Sequence, residues 1–177
     1  MVIHVERTWD GLPLPAEEAV RLELTDAGAA LRLRIEAPFN GDPPPPGEPG
    51  PLDGLWEHEV VELFVAHRHS EAYLEVELSP HGHHLVLALT GVRQAHTRGF
   101  PLRYRARIAG SRWTGEALVP REWLPPAPHR INATAVRGVG VARRYLSAEP
   151  LPGDRPDFHR LGRFRDVDLP ARGRTEQ

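Results

Sequence analysis

At 177 residues, 40% apolar and 26% charged, the chain has the balance of one globular domain, able to bury roughly 70% of the surface its unfolded form exposes. Its 22 basic and 24 acidic side chains leave a formal charge of -2, so neither a nucleic-acid footprint nor a polybasic membrane patch is expected. It has no cysteine, which removes disulfides, thiol nucleophiles, thiolate metal ligands and iron–sulfur chemistry together.

Every basic residue of the arginine/lysine pair is arginine, and with 19 prolines and 16 glycines this reads as GC-rich coding. Met1 to Asp10 carries charge early and lacks a long apolar core, so no signal peptide is expected. No apolar run approaches the ~20 residues that a membrane helix needs. A cytoplasmic protein is the expectation.

In chain order, Val20–Leu24 and Ala30–Ala37 alternate with period two across the turn Thr25–Gly28, the signature of an antiparallel hairpin. Leu31, Leu33 and Ile35 point inward. Pro38–Gly54 contains four consecutive prolines, Pro43 to Pro46, and reads as a long exposed loop. Next come Leu55–Ala66, Tyr73–Leu78 and Leu85–Leu89, a three-strand meander. Arg93 to Pro101 reads as a polar loop. Leu102–Ala109 and Trp113–Pro120 form a second hairpin, with Leu102, Tyr104, Ala106 and Ile108 inward. Arg121–Leu124 makes one helical turn, Arg130–Arg137 and Arg143–Ala148 are strands, and a last strand runs from Phe164 to Leu169. Nine or ten short strands with almost no helix predict an all-β, antiparallel β-sandwich spanning residues 1–170, with a frayed tail over 171–177.

The central meander holds the candidate chemistry. Alternation sends Leu74, Val76 and Leu78 to the core and Tyr73, Glu75 and Glu77 to the facing surface, read either as a solvated face or a ligand-binding one. On the preceding strand Val61, Leu63 and Val65 share one face, while Glu62 sits with Val60, Phe64 and Ala66. A carboxylate among apolar neighbours needs a partner, and Arg163 or Arg144 is a candidate for it. Five histidines fall between His67 and His84. Of these His81, His83 and His84 are candidate metal ligands, although no zinc-protease pattern is present: His58-Glu59-Val60-Val61-Glu62 ends in glutamate where histidine is required. Trp9, Trp56, Trp113 and Trp123, with Tyr73, Tyr104 and Tyr145, are candidates for a stacking platform. Trp56 is the best placed, because a large loop leads into it and carboxylates follow it. Glu57, Glu59, Glu62, Glu75 and Glu77 are numerous enough for a two-carboxylate hydrolase. No phosphate loop or nucleophile elbow is present.

Trp56, Glu59-Val60-Val61-Glu62-Leu63-Phe64, Tyr73-Leu74-Glu75-Val76-Glu77, Ser79-Pro80 and Gly82 together resemble the central signature of the family 9 carbohydrate-binding module-like (DOMON-like) sandwich. From Phe39 to Phe164 the chain also resembles an uncharacterised family of small soluble proteins of bacteria and animals. That similarity includes Asn40, Asp42–Pro46, Leu55-Trp56, Pro80-His81-Gly82, His84–Leu87 and Pro156-Asp157-Phe158-His159. The resemblance implies the sandwich fold and carries no activity with it.

The leading expectation is therefore non-catalytic binding of a carbohydrate or similar polar small molecule. The site residues would be Trp56, Glu57, Glu59, Glu62, Tyr73, Glu75 and His159, with no cofactor, no nucleic-acid or membrane partner, and a homodimer left open. A carboxylate- or metal-dependent hydrolase and a protein-interaction scaffold are the alternatives.

Overall fold

The computed structural model describes residues 1–173. Its strands are β1 (Val2–Val5), β2 (Val20–Ala27), β3 (Ala30–Pro38), β4 (Val60–His67), β5 (Tyr73–Leu78) and β6 (His84–Leu89). They continue with β7 (Ala95–Arg98), β8 (Arg103–Ala109), β9 (Arg112–Pro120), β10 (His129–Arg137), β11 (Arg144–Ser147) and β12 (Arg165–Val167). One sheet runs β1-β2-β3-β9-β8 and the other β11-β10-β4-β5-β6-β7, with β12 paired to β10. Every strand pairing is antiparallel. The chain is an antiparallel β-sandwich, as its alternating pattern predicts.

The two inner faces interdigitate through Leu22, Leu24, Leu31, Leu33 and Ile35 from one sheet and Val61, Leu63, Val65, Leu74, Val76 and Leu78 from the other, with Trp113 fully enclosed. Three details depart from the sequence reading. Val2–Val5 adds an edge strand, too short for its alternation to stand out. Ala95–Arg98 is also a strand and not loop, pairing with β6 across a register shift at Ala88/Leu89; as an edge strand with one neighbour it needs little apolar content. Ile108, expected inward, is exposed where β8 runs out at its turn.

The larger difference lies on the outer face of the second sheet. Strands β4, β5 and β6 are buried on both faces, because the segments 39–59 and 148–164 fold back over them. A second apolar cluster fills the space: Leu55, Val60, Phe64, Ala66, Tyr73, Leu85, Leu87, Leu89, Val136, Leu151 and Phe164. The surface expected to hold Tyr73, Glu75 and Glu77 in the open is therefore an interior. Period-two alternation reports which residues share a face, not whether a loop later covers it.

The root of the proline loop is stapled by Glu59. Its carboxylate accepts the N–H groups of Asn40 (2.9 Å) and Asp42 (3.4 Å). Asp42 in turn accepts from the N–H of Gly138 (2.6 Å). Gly138 is in the left-handed region at φ 80°, and a Cβ there would stand 2.4 Å from the Ala142 carbonyl oxygen, so only glycine fits. Beyond Pro170 the chain is irregular to Gly173, whose N–H donates to Asp26 (2.7 Å). Of the expected tail, residues 174–177 lie outside the described residues. Among the described residues no helix is long and apolar enough to cross a membrane.

Candidate functional site

Cross-strand register builds the site row by row on the covered outer face. Thr134, Glu62, Glu77 and Leu85 stand side by side across β10-β4-β5-β6. The next row on that face is Asn132, Phe64, Glu75, Leu87 and Arg98, and the third carries Ala66, Tyr73, Leu89 and Ala95. Over these rows the folded-back segments leave a cleft of about 560 Å³. Its floor is Glu62, Glu75, Leu87, Leu89 and Val136; its walls are Trp56, Glu57, Arg93, Arg98, Arg143, Tyr145, Asp157, Phe158 and His159.

Of the residues expected at the site, the structure brings Trp56, Glu57, Glu62, Glu75 and His159 into this one cleft. Tyr73 lies just beneath, bonded to His159. Glu59 does not join them, because both its oxygens are turned toward the proline-loop root. The histidines do not gather either. His81 bonds the Asp42 carbonyl (3.1 Å), while His83 and His84 are buried with no partner on either ring nitrogen. His84 packs edge-on to Tyr104 at 6.2 Å, and burial, helped by His83, pushes its pKa down. Among the described residues no group of three or more histidine, aspartate or glutamate side chains is placed to hold a metal ion.

The acid floor is the least ordinary feature. Glu62, 2% exposed, takes its hydrogen bond from the Thr134 hydroxyl (2.6 Å) and not from Arg144 or Arg163. Arg144 pairs with Glu18 instead. Burial pushes Glu62 up to about 7, against the pull of that hydroxyl and of the Arg143 charge. Glu75 and Glu77 are also raised well above the usual carboxylate range, first by burial and then by the Glu62 charge beside them. Glu77 stands two residues along β5 from Glu75 and opposite Glu62, with no hydrogen-bond partner on either of its oxygens. Three carboxyls this close in a dry setting do not all ionise at neutral pH.

His159 has an assignable tautomer. The Tyr73 hydroxyl has two partners: it accepts the Arg93 N–H (3.0 Å), and His159 Nδ1 (2.8 Å) is the one that can take its single proton. The imidazole proton therefore sits on Nε2, and the ring lines the cleft as a donor. Asp157 completes the network by accepting from Arg93 Nη2 (2.7 Å) and the His159 N–H (3.1 Å). Burial, and then the Arg93 charge, pull His159 down to about 4. A depressed histidine costs stability as pH falls below the ordinary 6.5 and through that value. Segment 148–164 should therefore loosen below about pH 4, when Nδ1 can no longer accept from Tyr73. Hydrogen exchange across that segment, compared with His159→Phe, measures this; protection unchanged at pH 3.5 would show that the Tyr73–His159 bond does not fasten it.

Sequence reasoning missed Arg93, Arg98, Arg143 and Asp157. Arg93 sits at φ 59°, the only non-glycine residue with positive φ among the described ones, and no periodicity marks such a turn. Asp157 lies within Pro156–His159, a stretch whose signal in the sequence is the family resemblance alone.

Comparison with known proteins agrees with this architecture. The chain is 41% identical to the zebrafish (Danio rerio) UPF0462 protein C4orf33 homolog, with 96% of this chain and 89% of that protein covered. It is 40% identical to human UPF0462 protein C4orf33, covering 96% and 88%. No family model matches the chain. Among solved structures, a Bacteroides uniformis protein whose carbohydrate binding is inferred superposes with a TM-score of 0.72 at 15% identity, over 93% of this chain and 84% of that one. A family 9 carbohydrate-binding module of Caldicellulosiruptor kristjanssonii superposes with TM-scores of 0.58 in its cellotriose complex and 0.59 in its glucose complex. Identity is 12% in both, with 88% and 89% of this chain and 76% and 79% of the module covered. At such identities the likeness is one of fold.

Proposed function

Because the chain belongs to the UPF0462 (C4orf33) family and has the fold of family 9 carbohydrate-binding modules, we propose that it binds a polyhydroxylated ring, a sugar or a close analogue, in the outer-face cleft without transforming it. One observation carries this reading. Trp56 is 41% exposed and stands at the wall of a cleft whose floor and far side offer hydrogen-bonding groups of both kinds. A large aromatic ring left in water beside a concavity is costly unless something apolar covers it. The C–H face of a sugar is apolar, and its hydroxyls both donate and accept. Glu62 and Glu75 supply acceptors and acidic protons, and His159 Nε2–H supplies a fixed donor. Tyr145 and Phe158, edge to face at 6.2 Å, add apolar wall. The sugar complexes of the family 9 module support the ligand class.

The test is a titration with glucose, cellotriose and a panel of other mono- and oligosaccharides, read by tryptophan fluorescence. At least one saccharide should bind, and Trp56→Ala should weaken it about tenfold or more, equivalent to about 1.4 kcal/mol. Trp56→Phe should keep part of the affinity. No response across the panel, or binding untouched by Trp56→Ala, would remove the basis for this function.

A further inference from the structure

We propose that Arg143 is the positioning residue of the cleft: its guanidinium holds the Trp56 wall in place over the Glu62 floor. The inference rests on Trp56 being the stacking wall.

The turn Leu55–Glu57 that carries Trp56 is weakly anchored by itself. It is three residues long, enters through Gly54 in the left-handed region (φ 80°), and has no side-chain cap. Only Leu55 of the three is buried. Arg143 makes up the deficit. Its Nη2 donates to the Trp56 carbonyl (2.6 Å) and its Nη1 to the Glu57 carbonyl (2.8 Å), while Nε reaches the Tyr145 hydroxyl (3.2 Å). A longer contact from Nη1 meets the Gly138 carbonyl (3.4 Å). The guanidinium carbon lies 5.6 Å from the Tyr145 ring centroid. One planar fork thus ties three segments together, which the single ammonium of lysine cannot do.

Most arginines near the site already have a carboxylate: Arg93 has Asp157 (2.7 Å) and Arg98 has Asp53 (3.1 Å). Arg143 forms no ion pair with a carboxylate among the described residues, so its charge is left to act on the floor. The groups facing Glu62 are Thr134 from β10, Glu75 and Glu77 from β5, and Arg143 from the turn before β11. Arg143 is the cation among them, and it draws Glu62 back toward ionisation. The same side chain therefore governs the aromatic wall by hydrogen bonding and the acid floor by charge. These two roles separate under substitution.

The experiment uses the full chain with Trp9→Phe and Trp123→Phe, leaving Trp56 as the accessible indole because Trp113 is enclosed. Arg143→Met and Arg143→Lys are compared with the parent, without ligand. Both should raise acrylamide quenching of Trp56 about twofold, as expected when a locally anchored segment loses its hydrogen bonds. In Arg143→Met the Glu62 midpoint, followed by carbon-13 NMR of the side-chain carboxyl, should move up by about one pH unit. In Arg143→Lys it should stay near that of the parent. Quenching unchanged in both variants, or a Glu62 midpoint unmoved in Arg143→Met, overturns the proposal. Neither readout needs a sugar. A parent protein that binds no saccharide defeats the functional reading alone, and unchanged variants defeat the role of Arg143 alone.

Discussion

Phe64→Ala is expected to destabilise the protein by about 3–5 kcal/mol, the cost of emptying a fully enclosed aromatic site. Phe64 is 0% exposed and lies on the outer face of β4, where a simple two-layer sandwich would meet water. Its ring is the hub of the second core, with centroids of Tyr73 at 6.4 Å, His159 at 5.7 Å and Phe164 at 5.7 Å. Tyr73 and His159 are the two members of the bond that fastens segment 148–164. The loss should therefore reach beyond the cavity and free that segment, together with the cleft wall it supplies. Denaturant unfolding gives the stability change, and hydrogen exchange locates it. A cost under about 1 kcal/mol, in the range of an ordinary surface substitution, would mean that the outer layer is not part of the cooperative fold.

Glu77→Gln is expected to raise stability at neutral and alkaline pH, by about 1–3 kcal/mol, the usual cost of leaving a buried polar group unsatisfied. Glu77 is 0% exposed, and neither of its oxygens has a hydrogen-bond partner. It stands beside Glu62 across the strands and two residues from Glu75. Glutamine has the same shape and brings two N–H donors that need no proton from solvent. The sign with pH follows from burial. Carboxyls raised above the ordinary 4.5 in the folded state leave stability intact below that value. Stability is lost as pH rises through the folded values, of which that of Glu62 is about 7. The variant should therefore gain little at pH 4.5 and most at pH 8, flattening the decline. Melting temperatures across that range check it. A gain equal at both ends would mean that Glu77 carries no linked proton.

Much of the architecture was legible because period-two alternation survives wherever one face packs against the other sheet. Leu31, Leu33 and Ile35, and Leu74, Val76 and Leu78, are core for the reason their spacing states. Trp56, Glu62, Glu75 and His159 were found as types of residue that a cleft needs, and the fold does bring them together. The covering of the outer face was not legible. It depends on where the segments 39–59 and 148–164 return, and that is fixed by long-range contacts such as Asn40 to Glu59 and Tyr73 to His159. Glu59 and Glu62 look alike in sequence, three residues apart in one acidic stretch. Only the fold sends Glu59 to backbone N–H groups and Glu62 to the cleft floor. Arg143 was invisible for a related reason: it acts through backbone carbonyls, which leave no trace in side-chain pattern.

The most direct test of the cleft as a binding site is amide and indole NMR of the labelled protein during addition of the saccharide selected in the fluorescence panel. The largest shifts should fall on the Trp56 indole N–H, the His159 Nε2–H and the amides of Leu87, Leu89 and Phe158, with the outer face of the first sheet unmoved. Shifts centred on that other sheet, or on the His81–His84 turn, would contradict binding in the cleft.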